Sequence, residues 1–167
     1  SRQPERSSAA TFPGMQCVTV DWSSSESLLK ACSGIECLVH LAAMNELQSA
    51  KDPVGALEVN GVASLRLLEA AIAVGVKRFI FFSTAHVYGA PLQGSISETT
   101  LPRPQHPYAI THKLAEDFIL AAHDQKRIEG LVFRLSNGFG APVTADVDRW
   151  TLLVNDLSRQ AVTTGKL

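Results

Sequence analysis

The chain has 167 residues, 46% of them hydrophobic and 19% charged, which suits one water-soluble domain with a sizeable core. Its formal net charge of -1 gives none of the basic field of a nucleic-acid binder, and no apolar run approaches the roughly 20 residues of a membrane span. Cys17, Cys32 and Cys37 are odd in number and form no CxxC, which argues against a disulfide framework or a zinc knuckle and suits thiols in a reducing cytoplasm.

In chain order, QCVTVDW (16–22) is short and β-branched and predicts a strand. SSSESLLKACSG (23–34), closed by a glycine, predicts a short helix. ECLVHLAA (36–43) predicts a buried strand running into a small-residue loop. Over 54–73, Val54, Leu57, Leu65, Leu68 and Ile72 fall on one helical stripe, and Gly75 stands at the helix stop. KRFIFFST (77–84) is continuously apolar, as for a parallel strand covered on both faces. Residues 85–105 read as a long loop, and loops of that length are often functional. Residues 107–123 predict a helix with Ile110, Leu114, Phe118 and Ala121 toward the core. EGLVFRLS (129–136) predicts a strand, and 147–162, with Trp150, Leu153, Val154, Leu157 and Ala161 on one stripe, a last helix. This alternation implies an α/β fold with a parallel sheet and right-handed crossovers. Ligands of such sheets sit at the carboxyl ends of the strands, which directs attention to Asp21, His40, Ser83, Thr84 and Asn137.

Six motifs then carry a resemblance. DW (21–22), HLAA (40–43), VN (59–60), GVKRFIFFSTAHVYG (75–89), PYAITH (107–112) and RLSNGFG (134–140) occur in this order and span most of the chain. Together they resemble the extended short-chain dehydrogenase/reductase family, most closely its nucleotide-sugar epimerase/dehydratase branch. The resemblance implies a Rossmann-like domain, with NAD or NADP as cofactor and a nucleotide sugar as substrate. The family's first strand and glycine-rich, phosphate-cradling turn are not in these 167 residues. SRQP (1–4) would end the second strand, and the lone GxG at 138–140 reads as a turn. The expectation is a partial Rossmann domain over 1–167, holding strands 3 to 6 of the order 3-2-1-4-5-6 and lacking the strands between 3 and 4. The chain is expected to be an internal piece of a longer protein, inactive alone, whose complete form dimerises through the helices at 54–73 and 107–123.

Residue roles follow from the resemblance. Tyr108 is the acid/base on a sugar hydroxyl. A tyrosine in water ionises near pH 10, so a nearby cation helps it act as a base at neutral pH. The family's lysine, four residues on, supplies that charge and binds the nicotinamide ribose. Here His112 stands at four and Lys113 at five, and four apart shares a helix face where five does not. Glu116 at eight keeps the family's register, so His112 is expected to replace the lysine and donate to the ribose hydroxyls. Thr84 matches the hydroxyl that holds the reacting oxygen, with Ser83 beside it on the opposite face of the strand. Asp21 matches an adenine contact, although an N-cap role for the following helix fits it nearly as well. Leu41, Ala42, Ala43 and Asn60 match the cofactor side, and Asn137 the substrate side. Ala85-His86 stands where the family's dehydratases carry Asp-Glu, which disfavours dehydration and leaves His86 as a substrate contact. His86, His106 and His112 lack metal-ligand spacing, so no metal is assigned. Arg2 would sit at the end of strand two, where a basic residue can accept the 2′-phosphate of NADP. The rival reading is a non-catalytic dinucleotide-binding regulatory or scaffold protein, which the histidine suits and the retained Thr84 and Tyr108 do not.

Overall fold

A computed structural model of the chain describes residues 16–89, 91–138, 140 and 152–165. Arg2, the segment 1–4, and Trp150 with the start of the last expected helix lie outside the described residues. The chain forms two units, divided between Arg134 and Leu135.

The first unit begins with an irregular segment at 16–20 and a turn at Asp21. The strand expected at 16–22 is absent, and its side chains are mostly exposed. β-branched residues fit a pleated surface but do not create one: without a ladder partner the backbone groups are better left to water. Helix α1 (Ser25–Cys32) follows, its N-cap Ser24 accepting from the Ser27 N–H. Strand β1 (Cys37–His40) is shorter than expected. Helices α2 (Glu46–Lys51) and α3 (Pro53–Ala56) are not anticipated by the apolar periodicity and start from side-chain caps instead. Asn45 and Gln48 form a reciprocal capping box, and Asp52 accepts from the Gly55 N–H with Pro53 in the first turn. A π-helical turn (Leu57–Val62) leads into α4 (Ala63–Ala73).

Strand β2 (Arg78–Thr84) pairs in parallel with β1, Cys37 opposite Arg78 and His40 opposite Phe81. A 3-10 turn (Ala85–Tyr88) opens the long loop, and α5 (Pro107–Asp124) and β3 (Glu129–Leu135) complete the sheet in the order β1-β2-β3. Phe79 and Phe81 pack with Leu28 and Cys32 of α1, Leu67, Leu68 and Ala71 of α4, and Ala115, Ile119 and Ala122 of α5. The apolar run of β2 was expected to be covered on both faces. Ile80 and Phe82, which alternate with the core residues, are only half-buried, and Val39, Leu131 and Phe133 of the flanking strands are exposed.

The helix stripes also differ from expectation. On α5 the buried residues are Ala109, Thr111, His112, Ala115, Glu116, Ile119 and Ala122, whereas Ile110, Phe118 and Ala121 are exposed and Leu114 is half-buried. Val54 and Leu57 are likewise exposed, while Leu68 is buried. The inner face of α5 mixes small residues with the buried Ile119, His112 and Glu116, while Ile110 and Phe118 point outward. The tightest approach is at Gly130 on β3: a Cβ there would lie 2.9 Å from both the carbonyl oxygen and the Cγ2 of Ile119.

In the second unit, α6 (Leu153–Thr164) ends at Gly165 in the left-handed region, and its Asn155 accepts from the Gly140 N–H. Among the described residues no helix is long and apolar enough to cross a membrane.

Gly130→Ala should destabilise the fold by about 1–3 kcal/mol, because a helix carbonyl cannot swing aside as a side chain can. Gly138→Ala, which meets nothing within 4 Å, should change stability by less than about 0.5 kcal/mol. Urea denaturation of both variants checks the contrast.

Candidate active site

The carboxyl end of β1 delivers the loop Leu41-Ala42-Ala43, exposed to solvent. One buried side chain sets its path. Asn60, in the middle of the π turn, accepts from the Met44 N–H through Oδ1 at 2.7 Å and donates from Nδ2 to Thr111 Oγ1 at 3.0 Å. Thr111 in turn donates to the Pro107 carbonyl at 2.8 Å, in the first turn of α5. Asn60 thus links the loop after β1 to the helix turn that carries Tyr108. A π turn is an uncommon insertion, often found at functional sites, and its six residues carry no periodic signal in sequence.

Ser64 donates to the Asn60 carbonyl at 2.7 Å, which leaves its oxygen to accept from His40 Nε2–H at 2.8 Å. His40 is only 3% exposed. Burial, then the neighbouring His112, depress its pKa from 6.5 to about 4.

At the end of β2, Ser83 and Thr84 are both buried. Thr84 Oγ1 accepts from the His86 N–H at 3.2 Å and caps the 3-10 turn, while its own hydroxyl hydrogen stays available. The Ser83 hydroxyl, His86 Nδ1 and His106 Nε2 are buried without a hydrogen-bond partner. Such groups are uncommon and mark places where a ligand can complete the bonding.

Tyr108 and His112 lie on α5 with ring centroids 4.2 Å apart. His112 is 2% exposed, and its Nδ1 lies 2.8 Å from the Tyr108 carbonyl oxygen. Burial lowers the His112 pKa below 6.5, and His106 pushes it the same way; the Tyr108 carbonyl and Glu116 act in opposition. Lys113 turns away to an ion pair with Asp117, so it is His112 that faces the tyrosine ring.

These rings form one chain. His86 meets His106 edge-on at 5.3 Å, His106 stacks on Tyr108 at 6.1 Å, and beyond Tyr108 and His112 come Phe81 at 5.8 Å and His40 at 5.6 Å. His106 also caps α5, its Nδ1 accepting from the Ala109 N–H, and Glu46 lies 3.9 Å from its Nε2. The spacing of PYAITH indicated Tyr108 and His112, but the cap position before Pro107 was the sole sequence signal for His106.

The other sequence-derived residues fall outside this chain. Asp21 is exposed and accepts from the backbone and hydroxyl of Ser23; the N-cap of α1 is Ser24, not Asp21. Asn137 is exposed in the second unit. Among the described residues, no group of three or more His, Cys, Asp or Glu side chains could hold a metal.

A further cluster not anticipated from sequence braces the loop after β2. Glu116 is fully buried and takes a forked pair of bonds from Arg134, whose third nitrogen donates to the Tyr88 hydroxyl at 2.7 Å. The carboxylate and, second to it, Tyr88 hold the Arg134 pKa above the ordinary arginine value against burial.

With this geometry in view, the relatives are informative. The model of the NAD dependent epimerase/dehydratase family matches residues 1–162, and the chain belongs to that family. A UDP-glucose 4-epimerase of Rhizobium leguminosarum bv. trifolii is 36% identical over 115 residues, which is 68% of this chain and 35% of that protein. The UDP-glucuronic acid 4-epimerase of Bacillus cereus, solved with NAD, superposes with a TM-score of 0.77 at 26% identity, over 93% of this chain and 47% of its own. RMD of Pseudomonas aeruginosa, solved with NADPH, superposes at 0.75 with 25% identity, over 90% and 51%. The chain spans about a third of the length of the curated relatives it matches and about half that of the solved chains.

Because His40 binds its proton later in the folded than in the unfolded state, stability should be full above pH 6.5. It should fall as the pH drops toward about 4, by about 3 kcal/mol from this residue. Burial of His112 acts in the same direction. Urea unfolding between pH 7 and pH 4 should show a shallower decline in His40→Gln than in the unaltered chain.

Proposed function

We propose that the complete protein is an NAD(P)-dependent nucleotide-sugar epimerase or a related oxidoreductase that transiently removes hydride from a sugar hydroxyl carbon. The observation that carries this reading is the 4.2 Å contact of Tyr108 with His112 on α5, in the family's order of motifs. It is supported by relatives named as nucleotide-sugar epimerases and by neighbours solved with NAD or NADPH. Tyr108 takes the proton of the reacting hydroxyl, and Thr84 donates its free hydroxyl hydrogen to the same oxygen. Ser83 and His86 are the substrate contacts of the first unit, and the unpartnered Ser83 hydroxyl and His86 Nδ1 suit that role. Asn137 is assigned to the substrate by the family's motif order alone.

The chain's own residues fit the cofactor. The loop Leu41–Ala43 is exposed and pinned by Asn60 through Met44, with His112 buried beside Tyr108. Asp21 is assigned to the adenine end. When bound, the dinucleotide would supply the hydride-accepting carbon, and these residues would orient it. The glycine-rich phosphate cradle of the family is not among the 167 residues, so the isolated chain is expected to bind dinucleotide poorly and to be inactive. The exposed edge and outer face of the sheet, with Val39, Leu131 and Phe133, suit further elements of a longer protein.

The exposed apolar residues Val54, Leu57, Ile110 and Phe118 support homodimerisation. Leu57 and Leu114 both approach Gly61, which places the two stripes side by side. In a dimer they would cover one another, two adjacent helices against two.

A second reading, a dinucleotide-binding regulatory or scaffold protein, is favoured by one observation. The residue in the lysine's place is buried with a depressed pKa, and Lys113 is engaged elsewhere.

In the complete protein, Tyr108→Phe should lower nucleotide-sugar turnover, read as epimer formation or NAD(P) reduction, by about 100-fold or more. His112→Ala should lower it far more than Lys113→Ala. Absence of both epimer formation and NAD(P) reduction by the unaltered protein with any nucleotide sugar would favour the regulatory reading. Phe118→Glu should convert a dimer to a monomer in sedimentation velocity while leaving the circular dichroism spectrum unchanged.

A further inference from the structure

The bonding of His112 fixes what that residue can offer a ligand. A carbonyl oxygen only accepts, so the 2.8 Å contact with the Tyr108 carbonyl requires the hydrogen to sit on Nδ1. That nitrogen is committed within the helix, and only Nε2 is left to meet anything else. Whether Nε2 also carries a hydrogen depends on whether the ring is charged.

The surroundings oppose a charge. The ring lies between Tyr108 and Phe81, almost without exposure to water. Across Phe81 from β1 stands His40, and beyond Tyr108 at the head of α5 stands His106, so that two further imidazoles flank it. The one nearby carboxylate, Glu116 one turn on, is already neutralised by the forked Arg134 of β3. Lys113 is turned to an ion pair with Asp117. Asn60, Thr111 and Ser64 are neutral and bonded to other groups. A second proton on His112 would be a buried charge without a counterion of its own.

We infer that His112 works as a neutral imidazole with its hydrogen on Nδ1, presenting the Nε2 lone pair as a hydrogen-bond acceptor for a ligand hydroxyl. This rests on the reading of His112 as the residue at the cofactor ribose, and it reverses the polarity expected there. A lysine, or a histidine acting as donor, gives hydrogens to the ribose hydroxyls; this residue receives one. Its second consequence concerns Tyr108, which has no adjacent cation from this position to favour the phenolate. The deprotonated tyrosine is then reached at higher pH than with a lysine in the same place.

Two measurements test this. In the full 167-residue chain labelled with 15N-histidine, long-range proton–nitrogen correlation spectra at pH 7 should show one pyrrole-type nitrogen at Nδ1 and one pyridine-type nitrogen at Nε2 for His112. The signals are assigned by their loss in His112→Gln. A pyridine-type Nδ1, or an imidazolium at pH 7, would overturn the inference. In the complete protein, His112→Lys should move the midpoint of the pH–rate profile for nucleotide-sugar turnover down by about one pH unit or more. An unmoved midpoint would count against it equally. The spectrum needs neither cofactor nor turnover, so a complete protein without detectable activity defeats the functional reading while the tautomer still decides this one.

Discussion

The candidate site depends on one buried amide. Asn60 holds the backbone of the loop after β1 with one end of its side chain and the first turn of α5, through Thr111, with the other. The Asn60 amide itself is buried, so leaving it unpaired costs more than the bridge gains on forming. Its placement requires the π turn: the extra residue rotates Asn60 inward between two elements that an unbroken α-helix would present differently. The same turn brings the Asn60 carbonyl to Ser64, and through Ser64 to His40. The loop, the tyrosine helix and the end of β1 are therefore set by one local irregularity.

The second constraint is electrostatic. The interior at the strand ends is crowded with imidazoles and aromatic rings, and burial favours their neutral forms. Among the described residues one charge pair has a fully buried carboxylate, Glu116 with Arg134, and it braces the 3-10 turn through Tyr88. A forked arginine on a fully buried carboxylate is a rigid joint, and this one ties β3 and α5 to the turn that begins at Thr84. Acid–base work in such a site rests on geometry and on hydrogen-bond polarity more than on a fixed positive charge.

The helix faces show how a correct periodicity can be given the wrong partner. Val54 and Leu57, like Ile110 and Phe118, share helical faces as the spacing indicates, yet these side chains face solvent. Both α5 and the helix leading to α4 are apolar on more than one side. The inner sides set Ala, Thr, Ser and Gly among larger core residues such as Leu67, Leu68 and Ile119, and at Gly61 and Gly130 the neighbouring element approaches closely. Hydrophobic periodicity weighs large residues most, so it placed Leu65, Leu68 and Ile72 on the core correctly but joined the exposed Val54, Leu57, Ile110 and Phe118 to the inner stripes.

By itself the sequence located the three strands, the helices at α1, α4 and α5 and the order of the family's motifs, because periodicity and capping are local properties. Motif order was likewise enough to single out Thr84, Tyr108 and His112, with Glu116 holding the register. Only the tertiary structure decided that 16–22 makes no strand, since a strand exists through its partner. It also supplied the π turn, the histidine chain with His106, and the Arg134 brace, which join residues from 18 to 51 positions apart through side-chain bonds that no local pattern records. And it decided what His112 offers: the helix carbonyl it is bonded to and the rings around it, not its position in a motif, set its tautomer and its charge.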